Sequence, residues 1–141
     1  MKLGIIISDS NNAHLNLAAE STLLEMSDCP TLFLWKNERT VVIGANQNPY
    51  AECRVETLLN DGGTLARRRT GGGAVYHDLG NLNFSFIAAK RLYDVNKQLS
   101  VIQKALLPYG IFAELSGRND KRQQHIQRQG GESLSKRARR I

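Results

Sequence analysis

Apolar and polar positions in this chain change over in short blocks, and each block has its own period. Residues 3–7 are a brief apolar run rich in isoleucine, which predicts a strand. A polar, capping-competent stretch follows at 8–12. Between 13 and 26, Ala13, Leu17 and Leu24, and beside them Ala19, Leu23 and Met26, recur at helical spacing, with Glu20 and Glu25 facing outward. An amphipathic helix is predicted there, stopped near Pro30. TLFLWK at 31–36 and TVVI at 40–43 predict two strands, and Asn37, Glu38 and Arg39 between them suggest a hairpin. Gly44 ends the second strand. Asn48-Pro49 supplies a cap and a first helical residue, so a helix is expected to about Asn60, with Val55, Leu58 and Leu59 inward.

Asp61-Gly62-Gly63 marks a turn. Residues 64–68 lead into three glycines at 71–73, then the apolar Ala74-Val75-Tyr76 and a second turn, DLGN, at 78–81. Leu82, Phe84 and Phe86 alternate with Asn83 and Ser85, the clearest strand pattern in the chain. Asp94 can cap a helix carrying Val95, Leu99, Ile102 and Leu106, closed by Pro108 and Gly110. Ile111, Ala113 and Leu115 alternate as a last strand. Strands and helices are mixed without strict alternation, which predicts an α+β fold with a mixed, mostly antiparallel sheet and packed helices. After Asp120 the periodicity is lost, and only Ile126, Leu134, Ala138 and Ile141 are apolar. The expected organisation is a body over residues 1–120 and a basic, disordered tail over 121–141.

Composition changes this picture in three places. Hydrophobic residues make up 41% of the 141, enough for a core. No run approaches the roughly 18 apolar residues of a membrane span, and the N-terminus lacks the small-residue cleavage site of a signal peptide, so a cytoplasmic protein without membrane contact is expected. The net charge of +6 suggests nucleic acid until it is located: residues 121–141 hold seven basic side chains and one acid, Glu132, while the first 120 hold 12 of each sign. A neutral body and a tail without aromatic residues argue against nucleic-acid binding. Cys29 and Cys53 form no metal-ligand spacing with each other or with His14, His77 or His125, and are read as reduced thiols.

Candidate chemistry is concentrated in LARRRTGGGAVYHDLGNLNFSF, residues 65–86. Three consecutive glycines make a loop without side-chain bulk and with access to positive φ, whose N–H groups can surround an anion at close range. Arg67, Arg68 and Arg69 precede it, and guanidinium groups grip phosphate or carboxylate. This is neither a P-loop nor a dinucleotide fingerprint. On physical grounds alone, a phosphate site and a tight glycine hairpin with solvated arginines stay about equally open.

The same segment closely resembles the lipoate–protein ligase A family, whose motif runs approximately R-R-x-[ST]-G-G-G-A-V-[FY]-H-D-x-G-N. Arg67, Arg68, Thr70, Gly71, Gly72, Gly73, Ala74, Val75, Tyr76, His77, Asp78, Gly80 and Asn81 stand in register with it. Similar stretches occur at SDS 8–10, Asn16-Leu17-Ala18, FLW 33–35, TVVIG 40–44, QNP 47–49 and SGRND 116–120, so the resemblance covers residues 3–120. It implies a fold like that of the biotin ligases and class II aminoacyl-tRNA synthetases. It also implies a reaction in which lipoate and ATP give lipoyl-AMP, and the lipoyl group passes to a lysine of an acceptor domain, such as an E2 subunit of a 2-oxoacid dehydrogenase complex or the glycine cleavage H protein. Arg67, Arg68, the glycines 71–73, Ala74, Val75, Tyr76 and His77 would line the adenylate site, and Asp120 would lie near the phosphates or their Mg²⁺. Trp35 is read as core, and His77 and Asp78 as holding the turn after the glycine loop, since adjacent strand residues face opposite ways.

The pattern departs from the family after SGRND. The segment of the form [RK]-K-hydrophobic-S-G, whose lysine contacts the lipoyl carbonyl and the phosphate, has no counterpart; Lys121 and Lys136 stand in other contexts, so no catalytic residue is assigned. A chain truncated or frame-shifted after Asp120 would produce this break. The reading other than a ligase is an inactive remnant or a nucleotide- or lipoate-binding module without catalysis. Within the enzyme class, the motif favours lipoate over biotin or octanoate.

Overall fold

In the computed structural model, residues 3–115 and 124–128 are described. They fall into two compact units, one through Leu92 and the other from Tyr93.

The first unit is built from two strand–helix–strand crossovers. Strand β1 (Gly4–Ile7) leads into helix α1 (Ala13–Met26), which returns the chain so that β2 (Thr31–Trp35) runs parallel to β1. Asn12 caps α1, its Oδ1 accepting from the N–H groups of His14 and Leu15. The second crossover begins with β3 (Thr40–Ile43), passes through two short helices, α2 (Pro49–Glu52) and α3 (Val55–Asn60), and returns as β4 (Thr64–Arg67), parallel to β3. Strand β5 (Val75–His77) pairs antiparallel with β3, and β6 (Asn83–Ile87) antiparallel with β2. Two mixed three-stranded sheets result, ordered β1-β2-β6 and β4-β3-β5. The core draws on both sheets and on α1: Ala13, Leu17, Phe33, Trp35, Val42, Ala66 and Ile87, with Ala19, Leu23 and Val75 packed against them.

The second unit contains α4 (Val95–Leu106), capped by Asp94, and β7 (Ile111–Leu115). Its other strand, β8 (Gln124–Arg128), pairs antiparallel with β7. The fold class is α+β, as expected. No helix among the described residues is long and apolar enough to cross a membrane.

Four expectations are corrected. The hairpin across residues 37–39 does not form: both sides of β2 are taken by β1 and β6, and both sides of β3 by β4 and β5. The link carries the chain from one sheet to the other, with Arg39 in the left-handed region at φ 43° and Asn37 fully buried. The helix expected over 49–60 is two helices, interrupted where Cys53 adopts an extended backbone. Leu24, Met26 and Leu59, expected inward, are more than half exposed; the inward line of α1 is Ala13, Asn16 and Leu17. Residues 124–128 lie in the stretch expected to lack structure, but pair with β7 through backbone groups, which need no apolar periodicity. The rest of that tail, and Asp120, lie outside the described residues.

Candidate functional site

Strand β3 is the axis of the site. Parallel β4 on one side and antiparallel β5 on the other are joined by residues 68–74, so the glycine loop crosses the end of β3. Its carbonyl groups are held from inside. Arg68 donates from Nη2 to Gly71 O (3.0 Å) and Gly73 O (2.8 Å), from Nε to Gly71 O (3.2 Å) and from Nη1 to Val42 O (3.3 Å). The main chain adds bonds from Arg68 N to Ile43 O and from Ala45 N to Thr70 O, each 3.0 Å. With the carbonyls of Gly71 and Gly73 turned to Arg68, the N–H groups of Gly71, Gly72 and Gly73 meet no hydrogen-bond acceptor among the described residues.

Only some of the glycines are forced. Gly72 sits at φ 104°, and a Cβ there would lie 2.7 Å from Arg68 Nη2; Gly71 and Gly73 have open space around them. Gly44, at the end of β3, is forced for a different reason: a Cβ would collide with the carbonyl oxygen of Gly72. Sequence reasoning treated Gly44 only as the end of a strand and missed this contact, because nothing local marks a glycine whose neighbour lies 28 positions on.

Arg67 serves the adjoining loop. Its Nη1 donates to the carbonyl oxygens of Gly44 (3.0 Å), Ala45 (2.9 Å) and Gln47 (2.9 Å), while Gly44 N donates to Gln47 Oε1 (2.7 Å). Arg69 pairs with Glu25 of α1, both well exposed, a contact of small energetic worth.

Along β5 the side chains alternate as a strand requires. Tyr76 is 48% exposed and His77 only 8%. The His77 ring lies against Trp35, centroids 5.9 Å apart, and its Nδ1 is 3.1 Å from Asn37 Nδ2. Burial first, then the positive charge of Arg68, push the imidazole down to about 4, against a smaller upward pull from Asp78. A ring uncharged at neutral pH cannot act as an imidazolium acid. Asp78 holds the following turn, its Oδ1 accepting from Gly80 N (2.9 Å) and its carbonyl from Asn81 N (2.9 Å). Trp35 is core at 6% exposure, donating to Ser85 Oγ, which donates to Glu20. Beside it, Asn83 Nδ2 is buried without a hydrogen-bond partner among the described residues, a polar atom that no sequence signal distinguished.

The structure thus gathers Arg67, Arg68, Gly71, Gly72, Gly73 and Ala74 around the end of the β4-β3-β5 sheet where β3 finishes, while Val75, Tyr76 and His77 run back along β3 and bring His77 opposite Thr40, at its other end. It offers no cluster of three acidic, histidine or cysteine side chains for a metal ion among the described residues. Cys29 and Cys53 are unpaired and half-buried, and burial raises the Cys53 thiol.

Comparison with known proteins places this arrangement. Residues 12–122 match the model of the lipoyl protein ligase A/B catalytic domain. A lipoate-protein ligase A of Bdellovibrio bacteriovorus is 50% identical over 121 residues, covering 84% of this chain and 36% of that protein. Among solved structures, LipL1 of P. falciparum in complex with lipoate superposes with a TM-score of 0.77 at 34% identity, over 92% of this chain and 41% of that one. A lipoate-protein ligase A bound with ATP superposes at 0.72 and 31% identity, over 85% and 52%. The archaeal bi-partite lipoate protein ligase of Thermoplasma acidophilum, described with its E2 lipoyl domain, superposes at 0.65 and 28%, over 89% and 49%. The chain spans about a third of the length of the curated relative it matches. A sheet end built on an arginine-braced triple-glycine loop, and a family model that matches most of the chain around it, make this chain a member of the lipoyl protein ligase A/B catalytic-domain family.

Proposed function

We propose that this chain supplies the nucleotide- and lipoate-holding part of a lipoate–protein ligase. The observation that carries the reading is the glycine loop: Arg68 holds the Gly71 and Gly73 carbonyls, and three successive amides are left without an acceptor among the described residues. Such a row of N–H groups beside a guanidinium suits an anionic phosphate. Arg67 contributes by bracing residues 44–47, against which the loop rests. Ala74, Val75 and Tyr76 continue the site's wall along β5.

In the proposed reaction the lipoate carboxylate attacks the α-phosphorus of ATP, pyrophosphate leaves, and lipoyl-AMP forms. The amine of an acceptor lysine then attacks the acyl carbon and AMP leaves. The acceptor would be a lipoyl domain of an E2 subunit or the glycine cleavage H protein. Negative charge grows on the phosphate during the first step, and preorganised donors lower its energy. His77, uncharged and buried, orients rather than transfers protons. Among the described residues no three acidic, histidine or cysteine side chains cluster for a metal ion, and Asp120, the one carboxylate assigned to Mg²⁺, lies outside them. Working in the cytoplasm would give such a ligase its ATP and its acceptors.

The test is calorimetric titration of the 141-residue chain with ATP and Mg²⁺, and separately with lipoic acid. Binding of ATP that Gly72→Val removes is the expected result. ATP binding unchanged in Gly72→Val, or no binding of either compound, would refute the reading.

A further inference from the structure

Sheet β1-β2-β6 has two faces, and the register tells them apart. Phe33, Trp35 and Ile87 point to the side of α1, where they join its Ala13 and Leu17 in the core and where Ser85 donates to Glu20. The residues between them point the other way. In register they make two rows across the three strands, Ile5–Leu32–Phe86 and Ile7–Leu34–Phe84, and every member is apolar. A sheet apolar on both faces lies between two layers in folded proteins. Toward β2 and β6 this second face is largely withdrawn from solvent: Leu32 is buried, and Leu34, Phe84 and Phe86 are half-buried, the two phenylalanine rings meeting edge to face at 6.1 Å. At β1 it lies open. Ile5 is 62% and Ile7 72% exposed, with Leu3 before them at 58%.

The edge of β1 is open as well. Gly4 N donates to Pro30 O and Ser8 N to Leu34 O, each 2.8 Å, so the alternate N–H groups of Ile5 and Ile7 point away from β2, where no described strand pairs with them. An isoleucine edge without charge or proline is one that folded proteins avoid leaving bare. Residues 121–141 have little to cover it with: four apolar side chains, Ile126, Leu134, Ala138 and Ile141, among seven basic ones. The relatives have more. The match spans 36% of the Bdellovibrio ligase and 41% of LipL1, so more than half of each polypeptide lies beyond it. We propose that Leu3, Ile5 and Ile7 on β1 form the docking surface for that further part of a lipoate–protein ligase, which presents apolar side chains to them. The inference rests on family membership and not on the glycine loop's binding a nucleotide.

The test makes one double substitution in two proteins. In the 141-residue chain the surface is open; in a protein joining residues 1–120 to the unmatched part of the Bdellovibrio ligase it should be covered. Ile5→Glu with Ile7→Glu should lower the melting temperature of the 141-residue chain by about 5 °C or less, since both side chains already face water. In the joined protein the same pair should cost about 15 °C or more, because two carboxylates would be shut in against apolar side chains. An anilinonaphthalenesulfonate dye, which reports exposed apolar surface, should bind the 141-residue chain and not the joined protein. Equal losses of melting temperature in the two proteins would overturn the proposal, as would a joined protein that fails to fold or still binds the dye. Light scattering should find the 141-residue chain monomeric; a dimer that the double substitution disperses would give the surface to a second copy and overturn the proposal too. ATP binding is read separately, so its failure would refute the function assigned to the glycine loop and leave these outcomes as they stand.

Discussion

Gly72 and Arg68 form one device, and substitutions at the two should differ in kind. A valine at φ 104° is sterically strained and drives its Cβ toward the Arg68 guanidinium, so Gly72→Val should abolish ATP binding altogether. Arg68→Ala keeps the glycines but releases the carbonyls of Gly71 and Gly73, and should weaken binding by about 1.5–3 kcal/mol, the usual worth of a hydrogen bond to a charged group. Titration calorimetry separates the two; equal, parent-like affinities would place the nucleotide elsewhere. His77 makes a prediction about pH. Its value in the folded chain, about 4, lies below the ordinary 6.5, so the unfolded chain binds the extra proton first. The stability it contributes is whole above pH 6.5 and is lost as pH falls from there toward 4, a change on the order of 3 kcal/mol. Melting temperatures between pH 7 and 4 check this: the decline should be shallower in His77→Gln, whose side chain cannot titrate, and an identical decline would assign acid sensitivity to other groups.

At the scale of elements, the site depends on where β3 ends. Because a Cβ at Gly44 would strike the Gly72 carbonyl, Gly44→Ala should push the glycine loop off the sheet end, costing at least tenfold in ATP affinity while far-ultraviolet circular dichroism stays native. Parent-like affinity would show that the loop yields without consequence. This contact also shows what local pattern can carry. The glycine loop, the caps at Asn12 and Asp94 and the full span of α1 were legible, because each rests on residues close in sequence. Strand partners were not. TLFLWK and TVVI are strands as expected, but three polar residues between two strands fit a hairpin and a crossing between sheets equally well; the choice was made by β1, β4, β5 and β6, which occupy every edge. Leu59 and Met26 obey helical spacing and still face outward, since period defines a face but not what covers it. Asn16 and Asn37 were invisible as core residues because an amide reads as surface until its partners are known.

At the scale of the whole molecule, the question is how much of a ligation reaction this chain can perform alone. Adenylation needs donors on the attacked phosphate and on the attacking carboxylate. On the proposed reading the first need would be met by Arg68 and the amides of the glycine loop. The second is assigned in the family to a lysine after SGRND, and the sequence carries no such segment. Losing one preorganised donor at a reacting centre costs about 10²–10³ in rate. The chain matches 36% of its Bdellovibrio relative, so parts that would hold lipoate, nucleotide and acceptor in attack geometry in a full-length ligase have no counterpart among these 141 residues. ATP binding and acyl transfer should therefore come apart. The purified 141-residue chain is expected to bind ATP yet to transfer no lipoyl group to an apo lipoyl domain above background, by gel-shift or mass spectrometry with lipoate, ATP and Mg²⁺. Joining a family-type sequence after Asp120 should bring transfer back, and a Gly72→Val version of the joined protein should lose it again. Transfer by the 141-residue chain alone would show that the lysine segment is dispensable and that the glycine-loop unit carries the whole chemistry.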